Sequence, residues 1–179
     1  AVDISGFYQS DVKVYETFSG ILRAGFNLSN LGPRMKYEEL GRKNFIPTNL
    51  KVGTAYDFIF DSSNKISINF ELNKLLVPSP SIPIYNSNNQ IIGYNQADVG
   101  FLSGVFKSFG DAPDGFSEEL KEITLALGLE YLYNDSFAIR AGYFNEHENK
   151  GARKYLTFGT GFKLTDINLD LSYLLSTSS

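Results

Sequence analysis

The sequence predicts an all-β protein, an antiparallel transmembrane β-barrel. Three observations carry that prediction. The first is residue-by-residue alternation in successive segments across residues 120–175. Ile123, Leu125, Leu127, Leu129, Tyr131 and Tyr133 alternate with Glu122, Thr124, Ala126, Gly128 and Glu130. Phe137, Ile139, Ala141 and Tyr143 alternate with Ala138, Arg140 and Gly142; Leu156, Phe158, Thr160 and Phe162 with Tyr155, Thr157, Gly159 and Gly161. Ile167, Leu169, Leu171 and Tyr173 alternate with Asp166, Asn168, Asp170 and Ser172. A strand points successive side chains to opposite faces, so each segment has one apolar and one polar side.

The second observation is what those sides are made of. The apolar side is almost entirely Leu, Ile, Phe and Tyr, whereas the polar side is small, with single charges among Gly, Ala, Ser, Thr and Asn. A water-facing sheet usually carries many Lys and Glu there. Alternating strands of about 10 residues, tilted, suit a bilayer, with the apolar side toward lipid and the small polar side lining a lumen.

The third is the spacing of the connections. In chain order, residues 1–9 make a short candidate strand, followed by a polar turn over 9–16. A second strand over 17–29 sets Phe18, Leu22, Ala24, Phe26 and Leu28 against Ser19, Arg23, Gly25 and Asn27. A loop over 30–49 follows, where Pro47 excludes a regular central strand. The third strand, 50–60, opposes Leu50, Val52, Tyr56, Phe58 and Phe60 to Lys51, Gly53 and Asp57. Asp61-Ser62-Ser63-Asn64 is a tight-turn sequence, after which Ile66, Ile68, Phe70 and Leu72 face away from Ser67, Asn69, Glu71 and Asn73. Residues 77–119 differ, with several Pro, many Asn and Ser, and apolar fragments between them. The strands of 120–175 complete a set of eight. Links after the third, fifth and seventh (61–64, 134–135, 163–165) are short, and those after the second, fourth and sixth (30–49, 77–119, 147–152) are longer. Outer-membrane barrels have short periplasmic turns and long extracellular loops, and the lengths alternate in that phase. The same phase puts residues 176–179 outside the cell, so both ends read as cut from a larger barrel.

Bulk composition agrees. The 179 residues suit one domain, 1–179; 42% are hydrophobic and 15% aromatic. No run of roughly 18 apolar residues supplies a helical span. The chain has no Cys, which removes disulfides and thiol chemistry, and its net charge of −4 gives no reason to expect nucleic acid. The opening Ala1-Val2-Asp3-Ile4 reads as strand, not as a signal peptide, so an exported protein would be present here as a mature chain or part of one.

Longer phrases point to a family. Ile46-Pro47-Thr48-Asn49-Leu50-Lys51-Val52-Gly53, Asn73-Lys74-Leu75-Leu76-Val77-Pro78 and Asp114-Gly115-Phe116-Ser117-Glu118-Glu119-Leu120-Lys121-Glu122-Ile123 resemble the PorV family of the type IX secretion system. Asn30-Leu31-Gly32-Pro33, Ile139-Arg140-Ala141-Gly142-Tyr143-Phe144-Asn145-Glu146-His147-Glu148 and Leu171-Ser172-Tyr173-Leu174-Leu175 are similar to it too, most of the chain in the right order. The resemblance implies a FadL-like barrel of about fourteen strands, of which this chain is the C-terminal half without the last strand. It also implies a non-enzymatic carrier without cofactors in the outer membrane of a Gram-negative bacterium, its long loops facing outward. The implied partners are a large translocon barrel, the C-terminal signal domain of secreted cargo, the cell-surface sortase complex and outer-membrane lipid. A FadL-like transporter of hydrophobic small molecules is the alternative, and a lipid-modifying enzyme built around His147 a third class.

Candidate sites follow from position. Arg23, Lys51, Asp57, Glu71, Glu122, Glu130, Arg140 and Asp170 fall on the lumen face, where enclosed charges need partners or water and form either a salt-bridged interior or a polar pathway. In the 77–119 segment Ile82, Ile84, Tyr85, Ile91, Ile92, Phe101, Leu102, Val105, Phe106 and Phe109 are too many for a solvated loop. They either fold over the barrel mouth or present a patch for a partner. His147, the single histidine, reads as a solvated loop residue, and Glu118 and Glu119 as a strand-entry rim without the spacing of a calcium loop. Tyr131, Tyr133, Tyr143, Phe144 and Tyr173 read as an interfacial aromatic belt. No catalytic or metal-binding residue is expected.

Overall fold

Alternation becomes register in the computed structural model, which describes residues 1–36, 43–78, 83–94, 100–110 and 115–177. In chain order its elements are β1 (Val2–Gln9), β2 (Lys13–Val14), β3 (Ser19–Leu31), β4 (Met35–Lys36), β5 (Lys43–Asn44), β6 (Asn49–Ile59), β7 (Asn64–Leu75), β8 (Pro83–Tyr85) and β9 (Ile91–Tyr94). Two short helices follow, α1 (Phe101–Lys107) and α2 (Phe116–Lys121), then β10 (Ile123–Tyr133), β11 (Phe137–Asn145), β12 (Lys154–Leu164) and β13 (Ile167–Ser176). The eight long strands form one antiparallel meander in the order β1-β3-β6-β7-β10-β11-β12-β13. The sheet is barrel-like but does not close on itself; β1 and β13 are its edges.

Directly opposed residues share a face, and the register keeps like with like. Leu22 meets Tyr56, which meets Ile68, which meets Leu129, then Ala141 and Phe158. On the other face Gly25 meets Gly53, and Gly128 meets Asn69 and Gly142. The apolar face has almost no protein over it: Val52 is 48% exposed, Ile68 46%, Leu129 49%, Phe158 53% and Leu171 59%. Among the described residues only Leu76, Val105 and Ala138 are fully buried hydrophobics. The accessible surface is 12380 Å² for 20.0 kDa, where a compact soluble chain of that mass exposes about 8,700 Å².

The short turns are local chemistry. Asp61 Oδ1 accepts from the backbone N–H of Ser63 at 2.7 Å and of Asn64 at 2.8 Å, turning β6 into β7. Asn134 and Asp135 both take positive φ, 51° and 50°, the pair that a tight hairpin matching strand twist requires.

The structure differs from the sequence expectation at one strand start. Residues 120–121 belong to α2, not to the following strand. Gly115, at φ 75°, turns the chain into a short helix, and the alternation sets in only from Ile123. The long 77–119 connection likewise holds a small hairpin and two helices, and no helix among the described residues is long and apolar enough to cross a membrane.

Candidate functional site

On the polar face, a belt of charge runs across the strands near their short-turn ends. Asp57 faces Ser67 in the register, Ser67 faces Glu130, and Glu130 faces Arg140. Asp57 is 1% exposed; it accepts from the Ser67 hydroxyl at 2.8 Å and takes both guanidinium nitrogens of Arg23. Arg140 donates to Glu130 on one side and Asp170 on the other. Gly161 makes room for the second contact, since a Cβ there would lie 2.6 Å from Asp170 Oδ1 and 3.0 Å from Arg140 Nη1. Lys51 and Glu71 make a looser pair at 3.5 Å, both nearly half exposed. The structure thus places seven of the eight polar-face candidates in three sets: Arg23–Asp57, Lys51–Glu71 and Glu130–Arg140–Asp170.

Toward the long-connection end the same face is floored by glycine, with Gly25 opposite Gly53 and Gly128 opposite Gly142. A concavity of about 650 Å³ lies over it, its walls including Phe7, Asn27, Lys51, Asn69 and Glu71. A neighbouring hollow of about 510 Å³ carries Glu130, Arg140 and Asp170.

Glu122, the eighth candidate, stands apart from the belt. It caps the C-terminus of α2 at the mouth and accepts from Lys74 at 2.8 Å and Lys150 at 2.9 Å. Lys74 was not anticipated as a site residue. It occupies an apolar-phase position, opposite Leu50 and Ile123, yet is only 8% exposed because α2 covers its amine with Glu119, at 2.7 Å, and Glu122. Lys150 also reaches Glu118 at 3.6 Å. Burial pushes the Glu122 carboxyl up, but the two lysines outweigh it and hold the group below the usual carboxylate range.

Two further mouth features were also absent from the sequence reading. Thr48, 1% exposed, donates to the Asn30 carbonyl at 2.9 Å, while its own carbonyl accepts from Leu76 N–H at 2.7 Å, tying three strand ends together. Glu146 receives Arg153 at 2.7 and 2.9 Å, which lowers the Glu146 carboxyl. A cleft of about 460 Å³ opens between these groups, lined by residues that include Asn49, Asn73, Thr124, Glu122, Lys150 and Arg153.

One aromatic assignment needs correction. Tyr143 and Phe144 are sequence neighbours and so point to opposite faces; Phe144 stacks on Tyr155 at 5.7 Å, with Arg153 over its ring, and leaves the apolar-side belt to Tyr131, Tyr133, Tyr143 and Tyr173. His147 caps the turn Glu148–Lys150, its Nδ1 accepting from Asn149 N–H at 3.3 Å. Among the described residues no group of His, Asp and Glu could hold a metal.

On the long connection, α1 packs Gly104 against the Phe45 ring and Pro78; a Cβ on Gly104 would lie 2.5 Å from that ring. Val105 and Ser108 are buried in the same contact region, whereas Leu102 (60%), Phe106 (74%) and Phe109 (51%) face outward. Tyr85 and Ile92 are exposed on the β8–β9 hairpin, and Phe101 is half-buried. Ile82 lies outside the described residues, as do the side chains of Ile84 and Ile91. Helix α1 thus has one packed side and one exposed side.

The first strands carry a family match. Residues 1–82 match the family model of the type IX secretion system protein PorV. Over those residues the chain is similar to that family. The match covers β1 to β7 and stops before β8. PorV is a component of a secretion system, not an enzyme family. No curated protein matches the chain.

Proposed function

We propose that this chain forms wall and mouth of an outer-membrane barrel that carries secreted proteins through the type IX pathway. It would bind the C-terminal signal domain of cargo at a large translocon barrel and pass it to the cell-surface sortase complex. The observation that carries the membrane part is the near absence of a protein core behind a continuous apolar face. Leaving that many Leu, Ile and Phe side chains in water would forfeit about 25 cal/mol for every Å² left uncovered, and lipid removes the cost. The long connections lie at one end, which under the short-periplasmic-turn rule faces the cell exterior. The unpaired edges of β1 and β13 are completed by further strands.

For the carrier part, the support is the outward side of α1. Leu102 and Phe106 on α1 and Phe109 just after it are exposed, as are Tyr85 and Ile92 on the hairpin, which is how apolar anchors for a protein partner are presented. The transporter alternative needs an apolar pocket inside the wall. Arg23, Asn27, Lys51, Asn69 and Glu71 share the 650 Å³ concavity with Phe7, Phe26, Phe70 and Leu127, a mixed lining that favours neither reading. The test is affinity capture from solubilised outer membranes. Leu102→Ser with Phe106→Ser should cut recovery of translocon and cargo at least about tenfold while the barrel still folds, as expected for a pair of hot-spot anchors. Unchanged recovery would remove α1 from the binding surface.

A further inference from the structure

We propose that α2 is an electrostatic strap across the mouth, held down by Lys74 and Lys150 and able to lift without unfolding the wall. What holds a six-residue helix in place is legible from its exposure. Of its described side chains only Glu119 is buried, while Leu120, its one described apolar residue of size, is 52% exposed. Leu120 therefore contributes little to docking. The ties are ionic: Glu119 and Glu122 to Lys74, and Glu122 and Glu118 to Lys150.

These ties cross from one element to another. Lys74 belongs to the end of β7, and Lys150 to the connection between β11 and β12. The Glu122–Lys150 pair lines the 460 Å³ cleft together with Thr124 and Asn73. With the strap down, the cleft is bridged; with it up, the cleft opens toward the outside and Lys74 regains water. The hinge is at hand, because Gly115 at φ 75° precedes the helix and, among the described residues, has no atom within 4 Å of where a Cβ would stand. A docked partner that brings its own charges to Lys150 competes with the strap directly. The strap depends on neither the cargo nor the translocon reading, only on a folded wall.

The experiment uses the full protein, in native outer membranes and in detergent, with Thr124→Cys as a reporter in a chain that has no other cysteine. Labelling by a hydrophilic maleimide is timed in this background, with Lys150→Met, and with Lys74→Met plus Lys150→Met. Lys150→Met should speed labelling about tenfold, the factor corresponding to one lost charged hydrogen bond, and the double variant further. Raising salt from about 0.05 to about 1 M should speed the reporter background and leave the double variant unchanged, because exposed pairs are screened. Heat-modifiable gel mobility reports whether the wall is folded. Equal rates in folded reporter and Lys150→Met proteins, or a salt response that survives in the double variant, would overturn the strap. If the double variant does not fold, Lys150→Met, whose cation is partly exposed, decides alone.

Discussion

Asp57 shows how one side chain anchors the polar face. It is almost fully buried and satisfies Arg23 and Ser67 from two neighbouring strands. Asp57→Ala strands the Arg23 guanidinium, which keeps some solvent contact, so the expected loss is about 2–3 kcal/mol, below the full cost of breaking a buried pair. The shift of the urea midpoint in a folded-barrel gel assay measures it. Gly151 is a second sensitive point. Its φ is 141°, and a Cβ would sit 2.2 Å from Glu146 Oε2. Gly151→Ala should cost about 1–2 kcal/mol by combining a strained backbone with displacement of that carboxylate. At this scale the sequence was half legible. Face assignments of Arg23, Asp57 and Arg140 follow from strand parity, a property of the backbone itself. Pairings such as Glu130 with Arg140 need the register, which parity alone does not set. Lys74 left a visible signal, a lysine in phase with Ile68, Phe70 and Leu72, but its carboxylate partners come from a distant helix.

Among elements, the β11–β12 connection is one whose stability should respond to acid. Arg153 holds the Glu146 carboxyl below its ordinary value. A carboxylate depressed in the folded state contributes fully above its unfolded value, about 4.3, and that contribution fades as pH falls through the folded one. The protection factor of amides around Ala152, that is, exchange relative to its intrinsic rate at each pH, should therefore fall below about pH 4 and stay flat from there to neutrality. In Arg153→Ala the acid step should disappear, and its persistence would assign the response to another pair. The element scale also explains why residues 120–121 are grouped with the strand by sequence. Residues 120–121 continue an apolar–polar alternation by composition, but two such residues fit either period, and only the positive φ of Gly115 decides between them.

At the scale of the whole molecule, the wall has two ends of different character. Short turns at Asp61–Asn64 and Asn134-Asp135 gather at one end, while the hairpin β8–β9, α1 and α2 lie on the connection that leaves the other. Single cysteines give the orientation. Asn88→Cys should be labelled by a membrane-impermeant maleimide on intact cells, and Asp135→Cys only after the outer membrane is breached. The reverse pattern would invert the proposed orientation. The eight-strand order was legible because each apolar stripe is long and the connections punctuate it. The open sheet ends in the edges β1 and β13.

Every pairing in the wall but one joins strands that a modest loop connects. The exception is β7 with β10, where Ile123 meets Lys74 across the whole outer excursion. Closing that gap costs chain entropy before any rung forms, so hairpins on either side should assemble first and their union should be the slow event in folding. The cost grows only logarithmically, and doubling the excursion would add about 0.6 kcal/mol. The wall therefore imposes almost no limit on the length of what it displays. Evolution can lengthen, trim or replace the part that meets a partner while the strands beneath keep their register.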